Sequence, residues 1–208
     1  MRIDSISPNP DRMGRHLVKC GTEALKLYRQ TIQDFGLYPG LELTAEQERA
    51  LRESVGEMSA KMRAVRIISA SSVSRRDLEQ RLIRKGEDVT QARAAVEWLE
   101  ELELVDDSKT AQTIVRQCVY KGYGPARAKQ ALYEKQIPKH LWDEVLADYP
   151  DQTEHIIKTL RTKLPDPADE RQKRRVIDGL LRRGHSYGAI RRAMEQMGDE
   201  WDEYSEDE

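Results

Sequence analysis

The feature of this sequence that most constrains its fold is an internal repeat of short amphipathic helices, each pair broken by a tight turn. The segment Val115-Arg-Gln-Cys-Val-Tyr-Lys-Gly-Tyr-Gly-Pro-Ala-Arg-Ala-Lys-Gln-Ala-Leu132 aligns with Ile177–Met194 at a constant offset of 62. In that alignment Lys121-Gly122 meets Arg183-Gly184, Lys129 meets Arg191, Ala131 meets Ala193 and Leu132 meets Met194. An earlier copy lies at an offset of 50, where Val65 matches Val115, Ile68 matches Cys118, Gln80 matches Gln130 and Leu82 matches Leu132. Each copy reads as a helix, a break, a second helix and then a third, and three such helices can just close a small core. The third helix is expected over about Thr90–Leu102 in the first copy and after Pro138 in the second. In the final copy it is expected to be short, around Trp201.

The breaks have a mechanical reading. Gly122 can take the left-handed conformation that ends a helix, and Lys121 places a cation near the free carbonyls. Pro125 suits the first turn of the next helix, where its missing donor costs nothing. Gly184 repeats the device, with Ser186 as the following cap, and Ser74 is the cap before Arg75. Gly122, Gly124, Pro125 and Gly184 are therefore read first as structural turn residues. Thr44 and Gln47 have the spacing of a capping box for a helix starting near Ala45.

Upstream of the repeats the pattern is weaker. Met1–Asp11 reads as a loose lead-in. Gly21 allows a β-hairpin between His16-Leu-Val-Lys and Glu23-Ala-Leu-Lys-Leu-Tyr28, while a helix over Glu23–Phe35 fits the pattern equally well. The expected fold is mainly α. Three tandem three-helix-bundle repeats form an elongated, curved body behind a small N-terminal segment, residues 1–45, with a hairpin and a short helix. The repeats span 46–107, 108–152 and 153–198, and an acidic tail spans 199–208.

Charge is distributed unevenly. Of 208 residues 35% are charged and only 6% aromatic, a balance that favours helices with wide solvated faces. The last ten residues carry seven acids, which leaves 35 basic against 30 acidic residues in the rest. Ile156–Gly198 alone holds eleven Lys and Arg against five acids. A positive face suits a nucleic acid or an acidic protein surface. Cys20 and Cys118 stand far apart in no metal or redox spacing and read as reduced thiols. No run of signal-peptide or membrane-spanning length is visible, so a cytoplasmic, monomeric protein without membrane contact is expected.

Lys121-Gly-Tyr-Gly-Pro-Ala-Arg-Ala-Lys-Gln-Ala-Leu132 resembles the central signature of the RecX family. Ser74-Arg-Arg-Asp-Leu-Glu-Gln-Arg-Leu-Ile-Arg-Lys-Gly86 looks like the helix of that family's first repeat. Leu99-Glu-Glu-Leu-Glu-Leu-Val-Asp-Asp107 is similar to the end of its third helix, and Phe35–Leu43 to its connector. The resemblance covers about Lys61–Gly198 well and Arg15–Leu43 weakly. It departs at Glu103, where the family usually has Gly, and at Thr110, where an aromatic is common. It implies three tandem three-helix repeats that lodge in the groove of a RecA-class recombinase filament. There they would inhibit ATP turnover, strand exchange and coprotease activity in DNA repair and recombination, or promote disassembly of the filament.

The side chains proposed for that contact are basic. They are Arg75, Arg76, Arg81, Arg84 and Lys85 in the first unit, and Lys121, Arg127 and Lys129 in the second, with Tyr123 as a stacking candidate. In the third they are Arg174, Arg175, Arg182, Arg183, Arg191 and Arg192. Arg matches carboxylate and phosphate bidentately. For any one of them alone, a solvated helix face is the simpler explanation. Single- or double-stranded DNA is expected to bind weakly, and a stand-alone DNA-binding helical module is the alternative. No enzyme is expected, and no catalytic, cofactor or metal residue is assigned. His16, His140, His155 and His185 are scattered without metal spacing, and Gly122-Tyr-Gly is no phosphate-binding loop.

Overall fold

A computed structural model describes residues 1–9, 14–164 and 169–198. The acidic tail and Trp201 lie outside the described residues. The chain divides into two compact units, Met1–Val105 and Asp106–Glu208.

The first unit opens with an antiparallel sheet of β1 (Ser5–Pro8), β2 (Arg15–Cys20) and β3 (Glu23–Tyr28) in that order. The hairpin reading of β2 and β3 therefore holds over the helical one. Gly21 takes a left-handed φ of +60° at its turn, and α1 (Arg29–Asp34) begins only after Tyr28. Over its described residues, 1–9, the lead-in is not loose. Its residues Ser5–Pro8 pair with Lys19–His16, Pro8 sits on an edge strand where its missing donor is harmless, and Ile3 is fully buried. Ile3 donates its N–H to Leu41 and accepts from Gly40, which ties the start of the chain to the connector after α1. Three polar or proline residues hide that strand from periodicity, because only Ile6 of the four is apolar.

The helix α2 (Ala45–Ala70) starts at a capping box in which the Thr44 hydroxyl accepts from Gln47 and the Gln47 side chain accepts from Thr44. Its two halves serve different cores. Leu51 joins Ile3, Val18, Leu27 and Leu43 under the sheet. Ala60 and Ala64 pack with Leu78 and Leu82 of α3 (Arg75–Arg84) and with Ala92, Ala95 and Leu99 of α4 (Val89–Glu101). Facing alanines let the α2 and α4 backbones approach closely.

The second unit contains two further three-helix bundles. One comprises α5 (Asp107–Tyr120), α6 (Pro125–Glu134) and α7 (Trp142–Ala147), closed on Ile114, Cys118, Ala128, Leu132 and Ile137. The other comprises α8 (Thr153–Lys163), α9 (Glu170–Arg182) and α10 (Tyr187–Met197), closed on Ile156, Leu160, Leu180, Ile190 and Met194.

The burial pattern corrects the repeat register. Ala92, Ala95, Val96 and Leu99 of the first bundle correspond to Trp142, Val145, Leu146 and Tyr149, and then to Ile190, Ala193, Met194 and Met197. Leu82, Leu132 and Leu180 likewise fall at one position, each accepting the N–H of the residue five further on across a left-handed residue. The offset of 50 stands, but the third copy follows the second at 48, not 62. At 62 one tight turn had been laid on the next, because both carry a cation and a glycine. The third helix of the last bundle is therefore α10, and the segment around Trp201 lies outside the described residues. Gly86, Gln136 and Gly184 are the equivalent positions, with φ of +90°, +55° and +85°.

Candidate partner-binding surface

The Lys121–Pro125 signature does two jobs. Locally it ends α5, with Gly122 at φ +63° and the Tyr123 N–H returning to the Cys118 carbonyl at 2.9 Å, and it starts α6 with Pro125 in the first turn. Beyond that it joins the second bundle to the third. The Gly124 N–H donates to the Arg183 carbonyl at 2.9 Å, and the Ala126 N–H reaches the Gly184 carbonyl at 3.3 Å. A methyl group at Gly124 would lie 2.0 Å from the Gly184 oxygen, and one at Gly122 would lie 1.9 Å from His155 Nε2. One at Gly184 would lie 2.2 Å from the Arg127 nitrogen. Glycine is needed at all three by close approach, and at Gly122 and Gly184 by their left-handed backbone as well.

Two further side chains hold this turn, His185 from across the joint and Tyr149 from within the second bundle. His185 is 4% exposed and its Nε2 lies 3.0 Å from the Gly122 carbonyl, which can only accept, so Nε2 carries the proton. Burial holds the imidazole below its ordinary pKa, the Gly122 hydrogen bond opposes that, and His155 and Arg183 add to the lowering. Tyr149 donates its hydroxyl to the Tyr123 carbonyl at 2.7 Å, and burial pushes its phenol up to about 12. Tyr123 itself is half-buried against the second core, leaving little of its ring for stacking on a partner.

The basic side chains separate into two groups. Some are engaged within the fold: Arg75 with Glu100 at 2.8 Å, Arg81 with Asp77 at 2.8 Å, Arg127 with Glu134 at 2.9 Å and Arg191 with Glu195 at 3.0 Å. Arg84 lies 3.9 Å from Asp77, and Arg174 also has an interaction within the fold. The pairs of Arg75, Arg127 and Arg191, whose acids are about half exposed, contribute little to stability and exchange readily for an outside partner, whereas the Asp77 carboxylate that holds Arg81 is nearly buried. Arg76, Lys85, Lys121, Lys129, Arg175, Arg182, Arg183 and Arg192 form no ion pair among the described residues.

Two hollows bring some of these together. One, of about 460 Å³, lies at the joint of the second and third bundles, with Lys129, Arg192, His185, Ser186 and Pro150 in its wall. The other, also about 460 Å³, lies in the first bundle and gathers Arg81 and Lys85 with Arg63 and Arg66 of α2. Sequence reasoning overlooked Arg63 and Arg66. The signal was available, since residues three apart share a helix face, but it lay in a helix read only for its apolar stripe.

No group of three or more His, Cys, Asp or Glu that could hold a metal occurs among the described residues. Cys20 and Cys118 are buried free thiols, each raised in pKa chiefly by desolvation, which disfavours the reactive thiolate.

The sequence profile described as the second three-helix domain of RecX matches residues 106–146, spanning α5, α6 and most of α7. The regulatory protein RecX of Halorhodospira halophila is 32% identical over 133 residues, which are 62% of this chain and 83% of that protein. This chain belongs to the RecX family. The RecX of Vibrio parahaemolyticus is 27% identical over 140 residues, covering 66% of this chain and 90% of that one. The fold agrees. A crystal structure of regulatory protein RecX superposes with a TM-score of 0.64 at 20% identity, over 93% of this chain and 98% of that one. The structure of RecX from Lactobacillus salivarius gives a TM-score of 0.61 at 20% identity, over 69% and 97%. Glu103, where the resemblance leads one to expect Gly, adopts a left-handed φ of +55°, a backbone that favours glycine.

Proposed function

We propose that this chain regulates homologous recombination by binding a RecA-class recombinase filament and restraining its ATP turnover, and with it strand exchange and coprotease activity. Membership of a family whose relatives are named regulatory proteins carries the reading. The surface supports it physically. Eight cations that form no ion pair among the described residues are available to carboxylates of a protein lobe or to phosphates of the DNA it holds. Lys129 and Arg192, in the wall of one hollow at the bundle joint, are the contact residues we favour, with Arg182 and Arg183 nearby in sequence. The protein acts by occupancy, without a reaction of its own.

The test is the ATPase of a recombinase on single-stranded DNA, titrated with this protein. Wild type suppresses turnover. A variant with Lys129, Arg182 and Arg192 replaced by Ala folds and needs a higher concentration for the same effect. No suppression by wild type refutes the function, and equal potency of the two refutes the placement of the surface.

A further inference from the structure

The hollow of the first bundle is lined mainly by cations. Of its seven lining residues four are cations (Arg63, Arg66, Arg81 and Lys85) and none is an acid. Gathering like charges costs free energy, here with Arg63 and Arg81 half-buried and Arg66 and Lys85 exposed at the mouth. Two carboxylates offset part of it from behind the wall. Glu87 takes Arg63 at 2.7 Å and Asp77 takes Arg81 at 2.8 Å, and both acids are nearly buried, at 7% and 9% exposure. They fix the two guanidiniums in place. Arg66 and Lys85 have no carboxylate among the described residues, so the hollow keeps two uncompensated positive charges.

Local duties do not exhaust these donors. Arg63 reaches the Lys85 carbonyl, and Arg66 uses its Nε on the Met62 carbonyl at 3.2 Å and one terminal nitrogen towards the Tyr28 hydroxyl at 3.4 Å. A guanidinium has five N–H donors, and an ammonium three. The Ser71 hydroxyl lies in the same wall.

Charge and directionality identify the ligand class. A carboxylate is planar and one guanidinium fork satisfies it. A set of cations supplied by α2, α3 and the turn after α3 surrounds an anion from several sides, which suits the tetrahedral oxygens of a phosphate. Arg84, 3.9 Å from the same Asp77 carboxylate as Arg81, carries positive charge on beyond the hollow, as a chain of phosphates requires and a single one does not.

We propose that the hollow between α2 and α3 is a phosphodiester-binding site for single-stranded DNA, with Arg66 and Lys85 as the side chains that meet the phosphate. The inference rests on the reading of the chain as a regulator of a DNA-bound filament, and it is tested without the recombinase, so that the two fail separately.

The experiment is fluorescence anisotropy of a labelled oligodeoxythymidylate titrated with the full-length protein over a series of salt concentrations. The pocket pair Arg66→Gln with Lys85→Gln is compared with Arg49→Gln plus Arg116→Gln, which removes the same charge from exposed helix positions outside the hollow. Lys85→Gln alone guards against a folding defect, since that side chain caps nothing. The pocket pair is expected to bind about tenfold more weakly, and its dependence of log K on log salt to be shallower by about 1.4, the contribution of two phosphate contacts. Lys85→Gln gives about half that change, and the base composition of the strand makes no difference. The control pair stays within about twofold of wild type. Equal losses in both pairs, or no binding by wild type, overturn the proposal. So does inorganic phosphate that displaces the strand more strongly than chloride at the same ionic strength, which would make the hollow a site for free phosphate.

Discussion

Lys85-Gly86 ends α3 and Lys121-Gly122 ends α5, each with a glycine in the left-handed region, at φ +90° and +63°. The two dipeptides are identical and the hydrogen bonds that close the helices are of one kind. Their surroundings differ. A methyl group at Gly86 would meet nothing within 4 Å, whereas at Gly122 it would meet the His155 ring, and at Gly124 the backbone of the third bundle. The first turn is a chain reversal in open space. The second is a chain reversal that has become a joint. One local motif can therefore tolerate substitution at one place in this molecule and not at another, and the difference lies wholly in what packs against it.

Substitutions break this comparison in graded fashion. The largest effect is expected for Gly124→Ala, because its neighbour is the Gly184 carbonyl, a backbone atom that cannot rotate away; about 3 kcal/mol of stability should be lost in urea denaturation. Hydrogen exchange should locate the loosening in 106–198. Gly122→Ala should cost about 2 kcal/mol, from left-handed strain together with displacement of the His155 ring. Combined with His155→Ala it should fall towards the cost of Gly86→Ala, which carries the strain alone, about 1 kcal/mol. Equal costs at Gly86 and Gly124 would show that the joint contributes nothing.

Smaller effects sharpen the same contrast. Gln136 occupies the place of Gly86 in the second bundle with φ +55°, so Gln136→Gly should gain about 0.5 kcal/mol, strain relief offset by the freer unfolded chain. The smallest effect is one of pH. His185 has a depressed pKa when folded, so the unfolded chain binds its proton first. Stability from this group is complete above its unfolded value near 6.5 and is lost as pH falls from there towards the folded value. The Gly122 hydrogen bond, which favours the charged ring, limits the loss. Acidification should raise hydrogen exchange around Gly122 and Gly184 before it affects the sheet, and His185→Gln should abolish that difference.

Much of the helical plan was legible. The capping box at Thr44, the caps at Ser74 and Ser186 and the proline start of α6 are decided within four or five residues, so local chemistry suffices. The register of the third repeat was not legible, because two successive turns carry the same cation and glycine and only burial shows which helix of a bundle each one ends. Strand β1 was missed because Ser5, Ser7 and Pro8 form a strand by pairing with β2, a partner that periodicity cannot see. In the candidate surface, the exposed cations were named from helix faces alone. Arg63 and Arg66 were not, since their meeting with Arg81 and Lys85 depends on how α2 and α3 cross.

The sequence by itself determined that this chain forms short helices in a repeated order, where most of them begin and end, and to which family it is akin. Those properties follow from apolar period, caps and turns, whose free energies are local. Only the tertiary structure decided that the Gly122–Pro125 turn grips the third bundle, that His185 is buried against it, and that four cations share one hollow. Such meetings depend on contacts between residues distant in sequence, and no local free energy records them.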